Sequence, residues 1–303
     1  MQNAYLRPEQ YEEEHCWQYD IRQKNLGDDL FASSLSVSQI GQFTVQDFYF
    51  SYVKKEDKIQ CQEIKQFIQR HEWLGKLPNR PTHRFTARTK LHHELAGVVI
   101  MAVPNAFSLL LGKEYRDSEK LLSRGACISW APKNLNSWLV MNSVRWMAKN
   151  TKFCYFTAYS DPEAKELGTI YQACNWNYLG QASGTIEQYF DPEHPEYGWF
   201  SDRNFRHKSK YNRYARELGI KLEKEWWGKY TLQWKDMPEE IVQQIKNAAK
   251  EYQAKCQVRE VATKHKYAYI LGKNKAETGM LKRRFARFNP DKVNLEYPKE
   301  RGK

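Results

Sequence analysis

The sequence predicts an α/β fold with a central sheet flanked by helices, and two observations carry that reading. Residues 123–183 alternate strand-like and helix-like segments. Upstream, Glu94–Pro104 (ELAGVVIMAVP) is a continuous apolar run closed by Pro-Asn, the pattern of a strand buried on both faces. Strand–helix–strand–helix–strand order places successive strands together through crossover helices, so a mostly parallel sheet is expected. With 303 residues the chain can bury a core in one or two domains.

Taken in order, Met1 to about Phe43 is polar, opens acidic at Glu12-Glu13-Glu14 and turns Ser-rich, so an arm with little regular structure is expected. Phe43–Val53 is aromatic and imperfectly alternating, a strand. Gln60–Gln69 spaces Ile64, Phe67 and Ile68 as a helix does, and His71-Glu72-Trp73-Leu74-Gly75 leaves it for a loop. Asn79–Lys90 is basic and reads as loop, and Phe107–Lys120 as a connection. Gly125–Trp130 is a short strand. Leu135, Trp138, Leu139, Met141, Val144, Trp146 and Met147 then recur at threes and fours, giving a helix over about Asn134–Lys149. Lys152–Tyr159 is a strand by its aromatics and threonine. Asp161 as N-cap and Pro162 at the first helical position open a further helix, and Tyr178 begins another strand. Beyond Ser183, the Pro-rich stretch Tyr189–Gly198 marks a boundary. Helices are expected over about Phe205–Leu218, Pro238–Glu251 and Leu281–Phe288, with a strand over Lys264–Gly272.

Several polar residues of the 123–183 unit are candidates for a site. Asn134, Asn136 and Ser137 crowd a helix start, where free amides and the helix dipole favour an anion such as pyrophosphate. Asp161 ends a strand at the rim where open α/β sheets bind ligands. Tyr171 lies ten residues on, along the following helix, and a tyrosine there can donate a proton to a leaving group. Each also has a plain structural use: Asn, Ser and Asp cap helices, and Tyr packs. The His71-Glu72 pair beside Trp73 suits acid–base work or metal binding, though such a histidine is often an ordinary surface residue.

Charge is uneven. Residues 201–303 carry 26 Lys+Arg against 13 Asp+Glu, while residues 1–200 carry 22 against 23. A basic third with interleaved aromatics suits a polyanion, nucleic acid first. The six cysteines are scattered without a C-x-x-C pair, no run of apolar residues is long enough for a membrane span, and Met-Gln-Asn-Ala-Tyr opens no signal peptide. A cytoplasmic location with reduced thiols is therefore expected.

The pattern LSRG–SWAP–NSW, then AYSD, then GTIYQACNW resembles the Mom family of phage DNA-modification proteins, a divergent branch of the GNAT acyltransferases. The resemblance covers about Cys61 to Ser183, and its most specific part is GTIYQA with Asp161 ten residues before Tyr171. It implies a GNAT-like mixed central sheet forming a catalytic core over 61–190; residues 1–60 lie outside it and read as an N-terminal arm, and residues 191–303 as a basic, aromatic-rich DNA-binding extension. It further implies acetyl-CoA as co-substrate, Arg124 and Ser137 in its binding beside Asn136, Asp161 and Tyr171 in catalysis, and His71 at a position where the family places a histidine. The family is associated with iron, for which His71 and Asp161 are the candidate ligands. The implied activity modifies the exocyclic amine of adenine in double-stranded DNA with a carbamoylmethyl-type group and shields bacteriophage DNA from host restriction. A plain acetyl transfer would give an amide, so that product needs further chemistry. The chain departs from ordinary GNAT enzymes in lacking their Arg/Gln-x-x-Gly-x-Gly loop; Arg124-Gly125 and the Asn/Ser helix start stand in for it. Two other classes fit the residues: an acetyltransferase acting on a small amine or protein lysine, and a DNA-binding protein without catalysis.

Overall fold

The computed structural model describes residues 16–228 and 231–299. Phe48–Val53 (β1), Pro81–Thr89 (β2), Leu95–Ala102 (β3), Glu119–Cys127 (β4), Tyr155–Ser160 (β5), Asn177–Gln181 (β6) and His265–Ile270 (β10) form one seven-stranded sheet in the order β1-β2-β3-β4-β5-β10-β6. A second, three-stranded sheet runs Phe200–Ser201 (β8), Thr185–Phe190 (β7), Gln257–Ala262 (β9). The helices are Trp17–Ala32 (α1), Val37–Gln42 (α2), Lys58–His71 (α3), Leu135–Asn150 (α4), Thr169–Ala173 (α5), Lys208–Glu217 (α6), Glu239–Lys255 (α7) and Lys275–Phe288 (α8).

The expected mixed sheet flanked by helices is present, but it is not mostly parallel. Among the described residues, only β4 with β5 pairs in parallel; β10 enters antiparallel between β5 and β6, so the two strands joined by α5 are not neighbours. All eight residues of β3 are buried, as its unbroken apolar run requires. α4 packs Leu135, Leu139, Val140, Val144 and Met147 into the core, one stripe at helical spacing.

Three local expectations are corrected. Residues 79–90 form β2 rather than a loop: Phe85 and Ala87 are fully buried, and the basic side chains of Arg84 and Arg88 are only partly covered. The N-terminal stretch is not irregular. α1 docks through Trp17, Ile21 and a buried Asp29, which accepts from Arg70 and from the Ser129 amide; the expectation for residues 1–15 lies outside the described residues. The single helix expected after Asp161 is broken. Pro162–Ala164 make one 3-10 turn, Lys165 and Gly168 take left-handed φ of 55° and 65°, and α5 has only five residues. A Cβ at Gly168 would sit 2.5 Å from the Tyr267 ring, so the reversal needs glycine there.

The expected boundaries at 60 and 190 also shift. Among the described residues, 184–262 are one compact unit, and 16–183 with 263–299 are the other. β1 lies before the expected core and β10 after it, yet both pair into the seven-stranded sheet, so residues 263–299 belong with the core rather than with an extension. The inserted unit has its own core of Tyr189, Phe200, Phe205, Tyr211, Tyr214, Leu232, Ile245 and Tyr252. Inside it Asp191 accepts from the Tyr252 hydroxyl (2.6 Å), which in turn accepts from Lys210 (2.9 Å), so the buried lysine and carboxylate are linked through one phenol. Among the described residues, no helix is long and apolar enough to cross a membrane.

Candidate active site

β4 and β5 share a ladder only at Glu119↔Tyr155, Lys120↔Phe156 and Leu121↔Thr157. Beyond these pairs β4 runs on to Cys127 and β5 to Ser160 with no further pairing between them among the described residues. The edge of β4 facing this gap therefore offers backbone donors and acceptors to an extended, amide-bearing ligand. The turn leaving β4 leads into α4, whose first residue follows Asn134 in a left-handed conformation (φ 69°). Among the described residues, no side chain caps α4; the Ser137 hydroxyl donates to the Asn134 carbonyl at 3.0 Å instead. First-turn amides left this way are suited to an anion.

At the C-terminal end of β5 lies a group of titratable side chains. Glu166 accepts from the Trp73 indole (3.1 Å) and from the Asp161 amide (3.1 Å). Glu72 is buried; it accepts from the Gly75 amide at 3.0 Å and stands 3.8 Å from the Arg124 guanidinium. Burial pushes both carboxyls up to about 7; Arg124 opposes the rise at Glu72 while Glu166 adds to it, and Asp161 adds to the rise at Glu166. Tyr171, buried on α5, packs on Trp176 (5.2 Å) and Tyr267 (5.1 Å). Burial, then Glu166, Tyr267 and Glu72, hold its hydroxyl well above the ordinary tyrosine range, so it stays protonated. A carboxyl that titrates near neutrality thus stands within electrostatic reach of a phenol that keeps its proton. One accepts and the other donates, which is the pairing acid–base chemistry needs.

The residues expected to form the site are only partly brought together. Tyr171 is in this group. Asp161 is beside it, but one oxygen caps the Pro162 turn through the Glu163 amide (3.1 Å) and the other holds Lys264 at 2.6 Å. Arg124 turns toward the loop after α3, donating to the carbonyls of Lys76 (2.8 Å) and Ser123 (2.6 Å). Asn136 and Ser137 stand at the start of α4, and Cys174 of α5 reaches the Ser137 carbonyl at 3.7 Å. His71 ends α3, buried against Phe67 and 3.6 Å from Asp29. Burial outweighs that carboxylate and lowers its pKa to about 4, so it is neutral and helps seat α1. Glu166 is not among the residues the sequence singles out. Glu72 was visible in the His-Glu-Trp segment; nothing local distinguishes Glu166.

The donor set does not suit iron. His71 faces Asp29 and Asp161 holds a lysine, and among the described residues no group of three or more His, Cys, Asp or Glu is placed to hold a metal ion. Octahedral iron needs more ligands than this arrangement supplies. A cavity of about 500 Å³ is found instead on the inserted unit, lined by Tyr189, Asp202, Phe205 and Arg206, but it includes none of the candidate residues.

The raised carboxyls give the fold a pH signature. Their folded pKa of about 7 exceeds the ordinary 4.5, so the stability of the protonated forms is complete below about pH 4.5 and is lost as pH rises through 7. The buried His71 and the half-buried His83, lowered to about 4, act in the opposite sense: their contribution is lost as pH falls below 6.5. Just above about pH 6.5 the carboxyls dominate, and Lys120, lowered to about 8, acts against them as pH approaches that value. The melting temperature is expected to fall where the carboxyls dominate, and Glu72→Gln is expected to flatten the decline; an equally steep decline in the variant refutes the assignment.

Comparison with known proteins adds three findings. A family model described as the Mom protein family matches residues 55–288, more than half of the chain. A solved ribosomal-protein-S5-alanine acetyltransferase from Vibrio fischeri is similar over 46% of this chain and 85% of its own, at 15% identity and a TM-score of 0.34. No curated protein matches.

Proposed function

The chain belongs to the Mom protein family, and from that premise we propose that it modifies the exocyclic amine of adenine in DNA with a carbamoylmethyl-type group, drawing on acetyl-CoA and so masking phage DNA from restriction. Family membership over residues 55–288 is the observation that carries the reading. The gap between β4 and β5 suits the amide-rich arm of the co-substrate, and the uncapped start of α4 with Asn136 and Ser137 suits its pyrophosphate. Acetyl-CoA supplies an activated two-carbon unit.

The protein's own part is proton movement and positioning. In the acyl-transfer step Glu166 takes the proton that the adenine amine releases as its nitrogen bonds to the thioester carbonyl, Tyr171 protonates the CoA sulfur that leaves, and Glu72 with Arg124 fixes the loop after α3 beside them; turning the acyl group into a carbamoylmethyl group takes a further oxidant and a nitrogen donor. Asp161 spends its two carboxylate oxygens on Lys264 and the Glu163 amide, which makes it a positioning residue. The adenine leaves the base stack to reach the site. No step is assigned to iron.

Mass spectrometry of nucleosides from DNA of cells expressing the protein tests this. A new modified deoxyadenosine is expected; unchanged nucleosides together with acetylated protein or small amines would place the chain among ordinary acetyltransferases instead.

A further inference from the structure

We propose that the phosphate-gripping surface is the outer face of α8 on the sheet unit, and that the inserted unit is not the main DNA contact. This rests on the DNA reading above and assigns that reading a place on the chain. Residues 263–303 carry 12 Lys+Arg against 4 Asp+Glu, whereas residues 184–262 carry 14 against 13. Of the excess of 13 positive charges that residues 201–303 show, 8 therefore sit in residues 263–303, while residues 184–262 are close to neutral.

The geometry of α8 decides which charges face outward. Leu281 and Phe285 are buried, Arg284 donates to the Leu111 carbonyl at 2.5 Å and pairs with Glu114, and Asn289 donates to the Leu110 carbonyl at 2.7 Å. That anchoring leaves Lys275, Lys282, Arg283 and Arg287 exposed, with no carboxylate partner among the described residues. Arg283 lies along Gly279, its Nη1 3.5 Å from where a Cβ would stand, so the bare helix leaves it room. Met280 and Phe288 are exposed between the cations. From Lys275 to Arg287 the helix rises about 18 Å, enough to follow several phosphates of a duplex strand spaced about 3.4 Å apart along the axis.

The inserted unit differs in kind. Arg206 pairs with Asp202, Arg213 with Glu217 (3.3 Å) and Lys221 with Glu223 (3.7 Å). Lys208 lies over Trp227, Lys246 over Trp234 and Arg259 over Trp199. About half of its cations are matched at home, and an approaching phosphate gains less from those.

Fluorescence anisotropy of a labelled duplex, titrated with full-length protein from about 50 to 200 mM salt, tests the assignment. Replacing Lys282, Arg283 and Arg287 together by Ala is expected to lower the log–log salt slope by about 2 to 3, since each phosphate contact contributes about 0.9. Replacing Lys235, Lys250 and Lys255 of the insert by Ala is expected to leave the slope within about one contact of the parent. If the first variant melts early, Arg287→Ala alone, assayed below its melt, is expected to lower the slope by about 1. A parental slope in the α8 variants, or the larger loss in the insert variant, overturns the proposal while the DNA reading stands. A parent protein with no salt-dependent duplex affinity overturns both.

Discussion

Glu166→Gln is expected to keep the fold and to lower DNA modification by about a hundred- to ten-thousand-fold, the usual contribution of a positioned acid or base. The carboxyl is held by the Trp73 indole and the Asp161 amide, and it stands within electrostatic reach of a tyrosine that keeps its proton. Gln retains the shape and one acceptor but cannot take a proton at any working pH. With its pKa raised to about 7, Glu166 acts as a base only when ionised, so the parent rate is expected to climb as pH rises through 7 and then level. Tyr171→Phe is expected to lower the rate without moving that limb, because the phenol does not titrate in this range. Nucleoside analysis and thermal melts separate this from packing: full modification by both variants would remove Glu166 and Tyr171 from the chemistry.

Why Glu166 escaped a reading of the sequence is itself physical. Its proton affinity is made by burial and by the charges of Asp161 and Lys264 around it, and Lys264 is nearly a hundred residues away. Trp73, also distant in sequence, supplies one of its hydrogen bonds. Elements that bury one continuous stripe, such as β3 and α4, were legible because burial and periodicity are local properties of their sequences. β2 was not, since only Phe85, Thr86, Ala87 and Thr89 are buried and its other positions carry polar and basic side chains. The Asp161-Pro162 start signal was sound for three residues and then failed at Gly168, where the Tyr267 ring occupies the space that any side chain would fill. A sum of charges over the last third likewise hid a balanced insert beside a strongly basic end.

That division leads to a prediction with an all-or-none outcome. A chain stopped at Tyr197 is expected not to fold, whereas one in which residues 184–262 are replaced by a two-residue turn is expected to unfold cooperatively like the parent core. Stopping early removes β10, which joins β6 to the rest of the sheet, and α8. Tyr267, Ile270, Leu281 and Phe285 are all but fully buried; at roughly 1.5–3 kcal/mol each, their loss is comparable with the whole 5–15 kcal/mol by which a domain is stable. Excision removes none of them. Gln181 pairs with His265, its amide donates to the Thr263 carbonyl at 2.6 Å, and the Thr263 hydroxyl donates to the Ala182 carbonyl at 2.6 Å. The two ends of the insert are therefore already side by side on antiparallel strands, where a tight turn closes the chain and a shorter loop costs less entropy. Circular-dichroism melts decide the matter: a cooperative transition in the stopped chain, or none in the excised one, refutes this account of the core. Because α8 stays in the excised chain, it is also expected to keep most of the parent's salt-dependent affinity for duplex DNA, which a chain relying on the insert for phosphate contacts would lose.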